Sequence, residues 1–409
     1  MTSLEQSLPQ THAISGGAVK GLKDLARLRL VTGSILLLVS LVGVLGADWD
    51  IQWHAVVGRD QTFTPPHDLI LLGIGLSGIV ALVSILIETT WSGRHPDLRA
   101  YGADFLGLLH SSLGLYLVGF GAVCSAVAFP LDTYWHALYG IDVSLWAPFH
   151  TMIYTGSVLS TFGVISLLFE AAHLAERQHA RRTALFSYIG LVATLGILLS
   201  KFSTFLTPAL SGHTLRLGAI TLTFFPFLLA LVAVFVCVLA VRLVPWMGAA
   251  TLVVAGFLLI LLLVSTFVPP MMTLLVQVEH ETYLARASRI GSTIVPLSGQ
   301  TPALLLLALC LDGVVWLGRR GTVAPSRQTT WMLVAALASM VLVAGFTLVL
   351  AGVRAQAAPG GGGGRAGHLL LGFVLALLLT IPGSLLGHWL AQTMSRTLTM
   401  NQMLHTKRR

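Results

Sequence analysis

Charge is what this sequence has least of. Asp, Glu, Lys and Arg make up 10% of its 409 residues, against the roughly 25% of a soluble globular chain, while 55% are hydrophobic. That scarcity excludes a soluble enzyme. Cysteine is nearly absent too: Cys124, Cys237 and Cys310 lie far apart, each inside an apolar run, and form no C-x-x-C pair. A disulfide framework and a thiolate metal site are excluded on that count, and the three read as free, buried thiols. The first 27 or so residues are polar and hold no apolar h-region, so no cleavable signal peptide is expected and the first span is expected to drive insertion. No haem, flavin or iron–sulfur motif is present.

What the chain has instead is long apolar runs. Each is long enough to cross about 30 Å of hydrocarbon, which makes the fold class all-α, a polytopic helical membrane protein. Bounded by charge, Pro or Gly, ten spans are expected at roughly 29–47, 66–89, 105–128, 148–171, 185–203, 217–241, 247–268, 301–318, 330–353 and 368–390. Threading the chain through them places 17 of its 24 basic residues on the side of the N-terminus and leaves none in mid-membrane. The formal net charge of +8 therefore reports orientation, not nucleic-acid binding, and both termini are expected in the cytoplasm. The organisation that follows is a cytoplasmic segment at 1–28, a four-span unit at 29–171, a six-span domain at 172–390 and a basic tail at 391–409. The glycine run Pro359 to Arg365 falls in an outer loop and reads as a flexible connector.

Against this background one polar stretch stands out. Residues 48–67 read DWDIQWHAVVGRDQTFTPPH, and residues 131–150 read LDTYWHALYGIDVSLWAPFH. Asp50 corresponds to Asp132, Trp53 to Trp135, His54 to His136, Gly58 to Gly140 and Asp60 to Asp142. One inserted residue later, Pro65 corresponds to Pro148 and His67 to His150. A two-span unit is repeated, and both copies face the outer side in the same sense.

The repeated residues have the makings of a metal centre. Asp50 and His54 are four apart, as are Asp132 and His136, which puts each pair on one helical face. Pro then opens the next span, where its missing N–H costs nothing, and His67 or His150 sits just inside that helix, placed to fold back over the first pair. One carboxylate and two imidazoles suit Cu, Zn or Fe, and not Ca or Mg, which take oxygen shells. Three protein ligands also leave coordination positions open for chemistry. Asp60 and Asp142 are placed to accept the second ring N–H of a histidine ligand, and Arg59 to pair with Asp60. Trp53 and Trp135 are expected in the interfacial belt, shielding the site from water.

The stretch WHAVVGRDQTFTPPH, behind Asp50, resembles the C subunit of the copper membrane monooxygenases, the particulate methane and ammonia monooxygenase family. That subunit carries a WHQ-x-x-x-RD-x-x-FTP-x-H signature. The resemblance implies one copper site at Asp50, His54 and His67, the residues it would make catalytic. The family's adjacent site uses Asn-x3-His-x13-His, a spacing that Asp132, His136 and His150 reproduce with Asp in the Asn position. It covers about residues 29–171, and it implies one or two copper ions, with zinc or iron as alternatives. The implied activity is O2 activation at the outer leaflet of the cytoplasmic membrane to hydroxylate a small apolar substrate. The family works as a multi-subunit assembly with a cupredoxin-like domain that this chain lacks, so further membrane subunits, a cupredoxin-like partner and an electron donor such as quinol are implied. The rival reading is a non-catalytic copper carrier or structural subunit, which should show Met and Cys at successive depths along a path.

Other polar positions are weaker candidates. An outer loop is expected from Val268 to Ser288, holding Met271, Met272, Glu279, His280 and Glu281. His110 is expected in the third span and His388 in the tenth, Asp312 lies in the eighth, and Cys124 lies close in depth to the proposed sites.

Overall fold

The structure, a computed structural model, describes residues 16–58, 63–140, 146–210, 214–217, 220–223, 225–284, 301–322, 324, 327–338, 378 and 380–397. It is almost entirely helical, with 87% helix and 2% strand, as an all-α chain should be. Helices α1 (Gly16–Val56), α2 (Pro65–Arg94), α3 (Leu113–Tyr139), α4 (Pro148–Arg177), α5 (Arg181–Leu210) and α7 (Ala249–Val278) are long and apolar enough to cross a membrane. Between and after them come α6 (Phe225–Leu243) and α8 (Thr301–Arg319), with further helical residues at 328–338 and 380–397. The protein is membrane-embedded, with six candidate spans among the described residues.

Three expected boundaries move, each for a local reason. The third span does not begin at 105. Leu106 and Gly107 take left-handed backbone and turn the chain into a short antiparallel hairpin, β1 (Ala103–Phe105) against β2 (Leu109–Ser111). Only then does α3 start, behind Ser112, whose Oγ accepts from Gly114 N at 3.0 Å. His110 therefore lies on β2 and not in a span. A second hairpin, β3 (Thr214–Leu217) with β4 (Ile220–Thr223), occupies the expected start of the sixth span. Conversely, Pro269 and Pro270 do not end the seventh helix: α7 runs through them to Val278, so Met271 and Met272 are helical and no loop begins at 268. The glycine run at 359–365 lies outside the described residues.

Helices pack where small residues let backbones meet. On α3 and α4, a Cβ added at Gly121 would stand 2.4 Å from Gly156 O, and one at Gly163 would stand 2.5 Å from Gly114 O. The α1–α2 pair repeats the device, since a Cβ on Gly73 would lie 3.3 Å from Gly43 Cα. At the repeat offset Gly73 corresponds to Gly156 and Gly43 to Ser125, and a Cβ on Gly156 would meet Ser125 Oγ at 2.4 Å. Duplication thus extends from the polar motif into the packing seam below it. The domain boundary expected at 171/172 falls within α4, and one hydrophobic core runs across it from Leu36 and Leu115 through Leu195 and Val236 to Leu311. Helix α1 is already formed at Gly16 and buries Leu22 and Leu25 with Leu98 and Leu174.

Among the described residues two basic side chains are buried inside the bundle. Lys201 of α5 is taken up below. Arg29 of α1 is buried and clamps three helices: Nε and Nη2 donate to Glu88 of α2 at 2.8 and 2.9 Å, and Nη1 donates to Glu170 of α4 at 2.9 Å. Nη2 also donates to Tyr101 O at 2.7 Å, while Ser111 Oγ and Ser112 N donate to Glu88 Oε2, drawing the hairpin into the same network. From Arg29 to Asp50 along α1 is roughly 30 Å at ~1.5 Å per residue, so the clamp closes the end opposite the repeated motif. Removing the cation strands two buried carboxylates. Arg29→Met should cost about 3–5 kcal/mol, read as a lowered unfolding temperature in detergent, and adding Glu88→Gln and Glu170→Gln to it should recover most of the loss.

Candidate metal centres

Asp50 and His54 lie on the last two turns of α1, and His67 on the first turn of α2 after Pro65 and Pro66. Their ligand-type atoms all fall within 4.8 Å of one another. Asp50 Oδ1 is 3.5 Å from His54 Nε2 and 3.0 Å from His67 Nε2. The second copy builds the same figure from α3 and α4, with Asp132 Oδ2 at 3.3 Å from His136 Nε2 and 3.2 Å from His150 Nε2. All six side chains are largely enclosed, none of them more than 19% exposed. Asp132 Oδ1 is buried with no hydrogen-bond partner among the described residues. A buried carboxylate oxygen left in that state is costly unless a cation answers it, so the donor set fits a metal ion.

The turns that close the two motifs explain their glycines. Gly58 has φ +74° and Gly140 has φ +84°, left-handed values that a side chain resists, and each ends its helix by returning its N–H to the preceding turn, to Trp53 O and His136 O. At Gly140 the carbonyl then faces His136 Nδ1 at 3.2 Å. With Nδ1–H donating there, Nε2 keeps its lone pair and points at Asp132 and His150, the tautomer a metal ligand needs. The sequence reading gave that supporting role to Asp142 and, in the first copy, to Asp60 with Arg59; all three lie outside the described residues. A main-chain carbonyl leaves no trace in a residue pattern, so the contact of Gly140 O with His136 is visible only in the structure.

The two centres differ in their surroundings. Trp49, Trp53 and Val57 form a stripe along α1 beside the ligand face and pack against Val264, Val268 and Met272 of α7. Trp53 is only 3% exposed, so it is core and not an interfacial anchor, a correction that follows from α7 continuing past its prolines. Leu284 N donates to Val56 O at 2.9 Å, bringing the chain after α7 onto the end of α1. Trp135, by contrast, is half-buried, 4.4 Å from Tyr139 and 6.0 Å from Phe149 between ring centroids, with Tyr134, Leu138 and Tyr139 exposed around it. The two sites share an end of the bundle, since Phe129 of α3 meets the His67 ring edge-on at 5.7 Å.

The remaining candidates resolve into structural roles. Asp312 on α8 accepts from Ala250 N, Thr251 N and Thr251 Oγ1 at 3.1, 2.9 and 2.7 Å, capping the start of α7. His110 Nδ1 lies 2.8 Å from Asp104, which also takes Arg99, and these neighbours, the histidine first, hold the Asp104 carboxyl below the usual carboxylate range. His388 Nε2 lies 2.8 Å from Gln392 Nε2, and Cys124 Sγ is 3.7 Å from Met152 O. Cys237 is buried as expected, while Cys124 and Cys310 are half-buried. Glu279 ends α7 and His280 follows it in left-handed backbone; neither joins a metal-type cluster among the described residues. Met272 serves the apolar wall behind Trp53.

No family model, curated protein or solved structure matches the chain. Fold and site together define a helical membrane-embedded protein with a duplicated cluster of one acid and two imidazoles.

The Gly140 turn carries a direct consequence. Gly140→Ala should strain the backbone by about 1–3 kcal/mol and loosen the His136 ring. The expected result is a 10- to 100-fold weaker second metal site, measured by competition with a chelator, and a first site left as it was.

Proposed function

We propose that this protein is a copper-dependent membrane oxidoreductase, monooxygenase-like, and a distant relative of the C subunit of the copper membrane monooxygenases. The observation that carries the reading is the double convergence of Asp50, His54 and His67 and of Asp132, His136 and His150, each within 4.8 Å. Two imidazole nitrogens and one carboxylate per centre form a borderline-soft set with open positions, which suits a redox ion. Copper held there would supply one-electron chemistry and a place for O2.

The chain's own residues do the rest. The imidazoles of His54 and His67, with the Asp50 carboxylate, would hold the first ion, and His136, His150 and Asp132 would hold the second. The Trp49 and Trp53 wall keeps water from the first centre on its α7 side. The substrate class that fits is a small apolar molecule arriving laterally from lipid, and the exposed aromatic and aliphatic side chains around Trp135 are compatible with such an approach. In the full topology the chain has ten spans, both termini are cytoplasmic, and the centres lie on the outer side of the cytoplasmic membrane; the bias of basic residues supports this. Further membrane subunits, a cupredoxin-like partner and a donor such as quinol complete the scheme.

Elemental analysis of the purified, copper-loaded chain tests the reading. Two equivalents are expected in the unaltered protein, one in His54→Ala, one in His136→Ala and none in the double variant. Metal content indifferent to both substitutions would reject it. A carrier, as opposed to an enzyme, would bind the same copper and hand it to a chelator within seconds.

A further inference from the structure

Against α4 and α1, α5 turns a polar face into the bundle that the apolar character of its run conceals. Lys201 is 8% exposed, and its Nζ lies 3.1 Å from Ser157 O, 2.7 Å from Ser157 Oγ and 2.8 Å from Thr161 Oγ1, all on α4. Among the described residues no carboxylate pairs with it, which sets it apart from Arg29 at the other end. One turn along α5, Thr204 Oγ1 donates to Asp48 of α1 at 3.1 Å, and Ser200 and Ser203 are fully buried on the same helix.

On α4 the lysine's partners continue a line to the second centre: His150, Tyr154, Ser157 and Thr161 recur at spacings of four, three and four, one face of a helix. The Tyr154 ring stacks on Phe205 at 4.0 Å, and its hydroxyl is buried with no partner among the described residues. The titratable groups facing this seam are Tyr154 from α4 and Asp48 from α1, while α7 brings apolar Ile260 and Val264 against Ile197. An amine buried in the bundle, held among the described residues by neutral oxygens alone and on the helix face that also carries a member of a metal-type cluster, is arranged to gain and lose a proton.

We propose that Lys201 is the proton-bearing group of this seam and exchanges a proton with solvent as the centre at Asp132, His136 and His150 changes oxidation state. This rests on the copper reading above. Were copper held there, its reduction by one electron from a donor such as quinol would be accompanied by uptake of one hydronium proton from solvent at Nζ, which converts the amine to an ammonium and releases one water; no other bond changes. Seven residues of helix separate His150 from Ser157, roughly 10 Å at ~1.5 Å each. Over that distance in a protein interior, losing one positive charge from the ion raises the lysine's proton affinity by on the order of tenfold.

The test is a mediated redox titration of the copper-loaded full chain, following the Cu(II) electron paramagnetic resonance signal at a series of pH values, with copper content determined on the same samples. In the unaltered protein the potential of the second centre should fall as pH rises through the range in which Lys201 titrates. Lys201→Met should bind the same copper and lose that slope, and Thr161→Val, which keeps the amine but removes one acceptor, should retain the slope in a displaced pH range. Two equivalents of copper with a pH-independent potential, or an unchanged slope in Lys201→Met, overturns the proton role and leaves the metal reading intact. A chain that binds no copper overturns the metal reading and this inference with it.

Discussion

Arg29 brings a positive charge into the interior of a membrane-embedded bundle, and the far ends of three helices are organised around it. An unpaired guanidinium there would be prohibitively costly. Glu88 and Glu170 answer it from α2 and α4, Tyr101 supplies a carbonyl, and Ser111 and Ser112 occupy the oxygen of Glu88 that would otherwise be left short of donors. Each bond fixes a helix rotation as well as a position. With α1, α2 and α4 held at one end and the glycine seams bringing backbones together along their length, the ends roughly 30 Å away have little freedom in how they meet. The ligand clusters lie at those ends.

That geometry explains how residues on separate helices converge without a loop to carry them. Asp50 and His54 are set by one helix, and His67 need only be on the first turn of the next, a turn that Pro65 and Pro66 start without wasted N–H groups. The same solution appears at α3 and α4. The copies differ in their surroundings: α7 packs against the first with the wall behind Trp53, whereas beside the second Tyr134 and Tyr139 are exposed among the described residues. Two chemically similar clusters of one acid and two imidazoles thus sit in unlike surroundings.

Much of this was legible in the residue pattern. Both triads, their four-residue spacing and their proline starts were visible because helix periodicity and proline's missing donor are local properties. The hairpin at 103–111 was not, since its apolar residues read as a continuation of the third span and only the left-handed backbone at Leu106 and Gly107 reveals the turn. The Gly140 carbonyl was hidden because every residue has one, and Trp53 was misplaced because its neighbours come from α7, more than 200 residues later. The setting of Lys201 is hidden for the same reason: its partners Ser157 and Thr161 lie on another helix.

What the amino-acid sequence determined by itself is therefore everything set by composition and short spacing: a helical membrane chain, a duplicated two-helix unit, and the identity of six side chains with the chemistry of metal ligands. Tertiary structure alone decided that the six meet as two sets of three, that α7 packs beside one of them, and that Arg29 and Lys201 are buried with opposite solutions, carboxylates for one and hydroxyls for the other. The physical reason is that periodicity fixes which face of a helix a residue occupies, whereas the partner that face meets depends on contacts between segments far apart in the chain.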